Sequence, residues 1–144
     1  MEEIDELGPI DYVVVEWSGG AKPTGEAAPI LLDLVDRGII RVLDFAAITK
    51  DEDGTVVAVE LSEHDDVAEL SYFEGAASGL LGDDDVAEAG AALEPGSVAI
   101  LLVYENRWAG PFAAAVRRSG AQLVAGGRIP TQALIAAVEA AEAA

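Results

Sequence analysis

Apolar residues gather in four segments whose length and composition are typical of β-strands. These segments are rich in β-branched and aromatic residues. They are "DYVVVEWS" (11–18), "IIRVLDFAAITKDEDGTVVAVEL" (39–61), "VAILLVY" (98–104) and "AQLVAGGRI" (121–129). The polar "KDEDG" divides the second segment, and its Asp53-Gly54 pair suits the positive dihedral angles of a tight turn. The pattern therefore predicts strands in all four segments, with the second folded as a hairpin.

The segments between these strands have helical spacing. Pro29 and Gly38 bound one predicted helix, and Pro111 and Gly120 bound another, with nine positions between proline and glycine in both. Thr131 caps a third helix that runs to the C-terminus. Residues of about 65–94 have helical spacing interrupted by glycines. We expect two short helices there.

The two halves of the chain repeat one outline. Each has a strand with a glutamate and a tryptophan near its end, Glu16-Trp17 in the first half and Glu105 with Trp108 in the second. A proline-started helix and a further β segment follow in both halves. Two βαβ units of this kind predict an α+β, ferredoxin-like sandwich, with helices on one face of a mainly antiparallel sheet.

The predicted sandwich is enlarged by an added hairpin strand, a helical insertion at about 65–94 and a C-terminal helix. We expect residues 1–8 to be a flexible tail and residues 9–144 to form a single domain. The second sheet face needs a cover, because an apolar face left in water is an association site. Either the insertion and the C-terminal helix provide the cover, or another subunit does.

Charge and cysteine content narrow the function classes. The chain has 8 Lys and Arg against 27 Asp and Glu, a formal net charge of −19. Nucleic acid and anionic membrane surfaces are therefore poor partners. There is no cysteine and only one histidine, which disfavours a transition-metal site, and we expect no metal and no cofactor. Neither a signal peptide nor a membrane-spanning segment is predicted, so we expect a cytoplasmic protein without membrane insertion.

Three phrases of the sequence carry a family resemblance. They are "YFEGAASGLLGDDDVAEAGAALEPGS" (72–97), "VYENRWAGPF" (103–112) and "SGAQLVAGGRIP" (119–130). From Gly8 onward, the chain resembles an uncharacterised actinobacterial family of small acidic proteins. It is more distantly similar to glycine-zipper membrane-associated proteins of unknown function. The resemblance implies no activity and no catalytic residues.

A polar and aromatic cluster follows the strand at 98–104 and is the main candidate for a ligand site. Its carboxylates and aromatic rings suit the walls of a pocket if the two Glu and Trp strand ends meet. The candidate residues are Glu16, Trp17, Tyr104, Glu105, Asn106 and Trp108. The alternative is architectural: Asn106 ends the strand, Trp108 covers the start of the helix, and Arg107 pairs with a glutamate. No catalytic residue is predicted, because these carboxylates lack a histidine, a nucleophile or a metal as partner.

Three other features have a functional and a structural interpretation. Asp83–Asp85 suit a divalent cation, although acidic residues are favoured at a helix start in any case. His64 suits a pH switch, but we expect ordinary polar surface there. Small and apolar residues, together with a pair of cations, are candidates for self-association. These are Phe73, Gly75, Gly79, Leu80, Leu81, Arg117 and Arg118.

Taken together, the sequence predicts a non-enzymatic, homo-oligomeric interaction or scaffold protein. We expect it to assemble through a sheet face or the glycine-rich helix. The alternative is a small-molecule-binding or regulatory module of ferredoxin-like fold, with a pocket near Trp17 and Trp108.

Overall fold

Four antiparallel strands and four α-helices make up the protein in a computed structural model that describes residues 7–59 and 80–143. The strands are β1 (Ile10–Trp17), β2 (Ile40–Lys50), β3 (Val56–Ala58) and β4 (Val98–Asn106). The helices are α1 (Ala27–Asp36), α2 (Asp83–Ala92), α3 (Gly110–Arg118) and α4 (Thr131–Ala143), and a 3-10 turn, Arg107–Ala109, precedes α3. The predicted mixed α+β class is therefore confirmed.

Turn residues end these elements where the sequence pattern placed them. Gly38 follows α1 at a φ of 71° and Gly120 follows α3 at 89°, in the left-handed region that glycine tolerates best. Gly54, at a φ of 91°, closes the hairpin turn, in which the Asp51 N–H donates to the Thr55 carbonyl. The predicted hairpin is thus present as β2 and β3.

The strands are ordered β1-β4-β2-β3, and every neighbouring pair is antiparallel. The ferredoxin-like topology is not confirmed. A second βαβ unit needs a strand at 121–129, but these residues, all of which the structure describes, are exposed and form none. Both edges of β4 are already paired, one with β1 and one with β2, so a later strand has no place beside it.

Helices cover both faces of the sheet. On one face, which we call the α1 face, Ala28 of α1 packs with Phe45, Ala47 and Ile100. On the other, the α2 face, Leu93 just after α2 packs with the sheet residues Ile48, Ala99 and Leu101. The cover of the α2 face thus comes from the segment where the sequence predicted a helical insertion. Because β2 and β4 carry apolar side chains on both faces, each face requires a cover.

The remaining helices differ in how they contact the sheet. The 3-10 turn and α3 bury Ala109 and Ala114. In contrast, α4 buries no residue against the described part of the chain, and residues 119–143 are exposed throughout. Of the two covers expected for the second sheet face, α2 is present and α4 is not. No helix among the described residues has the length and hydropathy needed to cross a membrane.

Candidate functional site

The buried carboxylate of Glu105 lies at one end of the sheet. Its side chain is 1% exposed, on the α2 face beside Ile10 and Arg41 of the neighbouring strands. One oxygen, Oε1, lies 2.9 Å from the Arg41 Nε, and the other, Oε2, accepts the Gly8 N–H at 2.8 Å. One oxygen therefore holds the chain just before β1, and the other holds β2, to the end of β4.

Asn106 forms a second group of hydrogen bonds at the same end. Its backbone N–H and its Nδ2 both donate to the Pro9 carbonyl, at 2.8 and 3.0 Å. The Nδ2 also donates to Asp11 at 2.9 Å, and the Trp108 Nε1 donates to Asn106 Oδ1 at 3.3 Å. The Trp108 ring itself is 66% exposed. Asn106, the last residue of β4, thus holds the backbone of Pro9, which is 97 positions away in the chain.

Tyr104 completes this end of the sheet on the α1 face. Its hydroxyl accepts a hydrogen bond from Arg128 at 3.0 Å, and the same guanidinium lies 3.9 Å from the Asp11 carboxylate. Since β1 is an edge strand, these contacts tie the segment before α4 to the rim of the sheet.

Glu16 and Trp17 lie at the opposite end. The antiparallel register sets Ile10 against Glu105 and Trp17 against Val98. Seven residues separate these pairs, about 24 Å at strand rise. The structure therefore does not bring Trp17 and Trp108 together to form a shared pocket. The Glu16 carboxylate, at an exposed position, accepts the Glu94 N–H at 2.7 Å.

Two apolar grooves flank β1, one on each sheet face. The α1 groove lies between β1 and α1 and has a volume of about 460 Å³. Its floor contains Val13, Val15 and Trp17 of β1, and Ile30 and Leu31 of α1 form a wall. Lys22 is the one cation among the described residues that line it.

The α2 groove lies between β1 and α2 and has a volume of about 540 Å³. Ile10, Tyr12 and Val14 of β1 face it, and Asp85 and Glu88 of α2 give it an acidic side. Both grooves exist because the covering helix on each face leaves β1 largely uncovered.

The self-association candidates are dispersed. Leu81 packs into the α2-face core, and its N–H donates to Asp44 at 2.9 Å. Leu80 lines the α2 groove, while Arg117 and Arg118 end α3. Phe73, Gly75, Gly79 and His64 lie outside the described residues.

The three aspartates at 83–85 occupy the first turn of α2. Asp85 accepts the Gly82 N–H at 3.0 Å, and carboxylates in this turn complement the positive end of the helix dipole. Within residues 7–59 and 80–143, no group of three acidic or histidine side chains is arranged to hold a metal ion.

Several structural residues escaped the sequence analysis. Arg41 and Gly8, the two partners of Glu105, are 64 and 97 positions away from it in the chain. The Asp44 carboxylate is buried and accepts the backbone N–H groups of Phe45 and Leu81. Asp44 is the only acid in β2, and this was the only signal of its role.

The model of a family of unknown function, DUF6325, matches residues 6–143. No curated protein matches the chain. No solved structure matches it either.

Proposed function

We propose that this chain, which belongs to the family of unknown function DUF6325, is a non-enzymatic interaction or scaffold protein that assembles with copies of itself. The contact surface is the β1 side of the sheet. The observation that carries the proposal is the exposure of large apolar side chains on both faces of one edge strand. These side chains are Ile10, Tyr12, Val14 and Val15.

The edge of β1 supports this assignment. Among the described strands, β1 pairs only with β4, so its outer N–H and carbonyl groups are available to another strand. Edge strands of monomeric proteins usually carry charges or prolines that prevent pairing. Here the charges stand near the strand ends, at Asp11 and Glu16, and Tyr12–Val15 between them are apolar.

The candidate carboxylates support a non-enzymatic role. Glu105 is enclosed by Arg41 and Gly8, and Glu16 holds the Glu94 backbone. A general acid or base must reach a substrate proton. The contacts that Glu105 makes inside the fold leave that group no such access.

Net charge sets the conditions for assembly. Two copies of a −19 chain repel each other, and salt limits the range of that repulsion to about 8 Å at physiological ionic strength. Apolar contact is not weakened by moderate salt. We therefore expect higher salt to strengthen self-association.

Sedimentation velocity at micromolar concentration tests the proposal. We expect oligomers whose fraction increases from low to moderate salt. Val15→Lys should reduce that fraction at least tenfold, because it places an ammonium at the contact surface. Val57→Lys, on the opposite edge strand β3, is the matched control, since Val15 is 45% and Val57 is 47% exposed. A strict monomer at every salt concentration, or equal effects of both variants, would contradict the proposal.

A ligand-binding or regulatory module is the second candidate, and the α1 groove favours it. Its volume lies within the range of small-molecule sites, and Trp17 at its floor supplies an aromatic wall. On this alternative the chain sediments as a monomer, and an apolar fluorophore that binds in the groove quenches the Trp17 emission. The two candidate functions can therefore be distinguished with one preparation of the protein.

A further inference from the structure

We infer that the α1 groove of each copy receives helix α4 of a second copy. This inference rests on the proposed self-association and names the segment that performs it. It starts from two unpartnered apolar surfaces in one chain. The groove exposes Val15 and Ile30, and α4 exposes Leu134, Ile135 and Val138.

On its own, α4 would be only marginally stable. An isolated helix of 13 residues is marginal in water even when rich in alanine, because helix nucleation is unfavourable. Most helices in proteins are stabilised by packing an apolar face against a partner. Since α4 buries no residue against the described part of its own chain, the inference assigns a second copy as its partner.

The helix is long enough for the groove. Thirteen helical residues span about 20 Å at 1.5 Å per residue. The β1 side of the groove, from Val13 to Trp17, spans about 14 Å at strand rise. One helix therefore covers the groove from end to end.

The docking face of α4 carries one charge. Leu134, Ile135 and Val138 share one face of α4, and Glu142 lies on that face one turn beyond Val138. A docked α4 brings this carboxylate to a groove whose described charged lining residues are Lys22 and Glu26. Lys22 is the cation available to pair with Glu142.

The tether places α4 at the right edge. Arg128 binds Tyr104 of β4 and lies 3.9 Å from Asp11 of the edge strand β1, so α4 begins three residues beyond a contact with this edge of the sheet. Each copy offers one helix and one groove. A reciprocal exchange therefore satisfies both copies and closes the assembly as a symmetric dimer.

Matched substitutions on α4 test the inference. Val138→Lys should weaken the dimer about 100-fold, because the lysine replaces an apolar anchor on the docking face. Ala140→Lys adds the same charge on the opposite face of the helix and should leave the dimer unchanged. If both variants dimerise like the parent chain, the inference is wrong while the proposed self-association survives. If the parent chain is monomeric, both the inference and the proposed self-association are wrong.

Engineered disulfides identify the chain that supplies the helix. The sequence has no cysteine, so single Val15→Cys and Val138→Cys variants carry one thiol each. Mixed under oxidising conditions, with one of them tagged, they should give a covalent pair containing one copy of each. A double variant that instead forms its disulfide within one chain would show that α4 folds back on its own groove. Absence of both products would contradict docking altogether.

Discussion

Replacing Glu105 tests whether this carboxylate belongs to the architecture of the protein. Glu105→Ala removes a side chain that is 1% exposed, and with it the acceptor of the Gly8 N–H and the partner of Arg41. Glu105→Gln keeps the shape and one acceptor oxygen but removes the charge. Glu16→Ala, at an exposed carboxylate that also holds a backbone N–H, is the matched control.

The magnitude follows from what each variant leaves behind. In Glu105→Ala, a buried Gly8 N–H without an acceptor costs about 1–3 kcal/mol. The lost contact with Arg41 adds about 1 kcal/mol, because that side chain is 40% exposed and stays partly hydrated. The lost methylene adds about 0.8 kcal/mol. We expect a total loss of about 3–5 kcal/mol for alanine and about 1–2 kcal/mol for glutamine.

The control should behave differently. In Glu16→Ala the Glu94 N–H returns to water, so the loss stays below about 1 kcal/mol. A domain of this size has a free energy of unfolding of about 5–15 kcal/mol, so the alanine variant at Glu105 loses a large share of its stability.

Urea denaturation followed by tryptophan emission and circular dichroism measures these differences. With a denaturant slope of about 2 kcal/mol/M, Glu105→Ala should lower the midpoint by about 2 M and Glu16→Ala by less than about 0.5 M. Equal shifts in the two alanine variants would refute the assigned role of Glu105. So would a glutamine variant as unstable as the alanine variant, since the retained oxygen would then contribute nothing.

Two further predictions concern a close packing contact and a turn. Gly90→Ala places a Cβ 2.6 Å from Val56 Cγ2, and this overlap outweighs alanine's better helix propensity of about 1 kcal/mol. Urea denaturation should therefore show a net loss of about 1–2 kcal/mol in the free energy of unfolding. Adding Val56→Ala should reverse this loss. The backbone N–H of Thr55, and then its hydroxyl, hold the pKa of Asp53 below its ordinary 3.8. The turn therefore keeps this contact above pH 3.8 and loses it as pH falls through the lowered pKa. The Thr55 amide resonance should titrate with a midpoint below 3.8 in NMR spectra, and a midpoint at or above that value would contradict the assignment.

The sequence was a good guide to local structure because turns and caps are local chemistry. Gly38, Gly54 and Gly120 each occupy the left-handed conformation that their positions suggested. Strand order was not accessible in the same way. The matched Glu and Trp strand ends suggested a repeat, but pairing of β1 with β4 depends on contacts nearly a hundred residues apart.

The candidate ligand site illustrates the same limit. Glu16, Trp17, Glu105 and Trp108 have similar neighbours in the sequence, yet antiparallel pairing sends the two groups to opposite ends of the sheet. Whether a carboxylate is buried also depends on partner residues that are distant in the sequence. Arg41 and Gly8 enclose Glu105, and no periodicity of the sequence indicates that contact.

The hydrogen bonds at Gly8 and Asn106 have a consequence for how the edge strand finds its alignment during folding. The three consecutive valines of β1 fit either sheet face, so they discriminate poorly between the native pairing and one displaced by a residue. A displacement would separate the Gly8 N–H from Glu105 and the Pro9 carbonyl from Asn106. The polar residues at the end of β4 therefore specify which valine meets which partner, a choice that apolar burial leaves open.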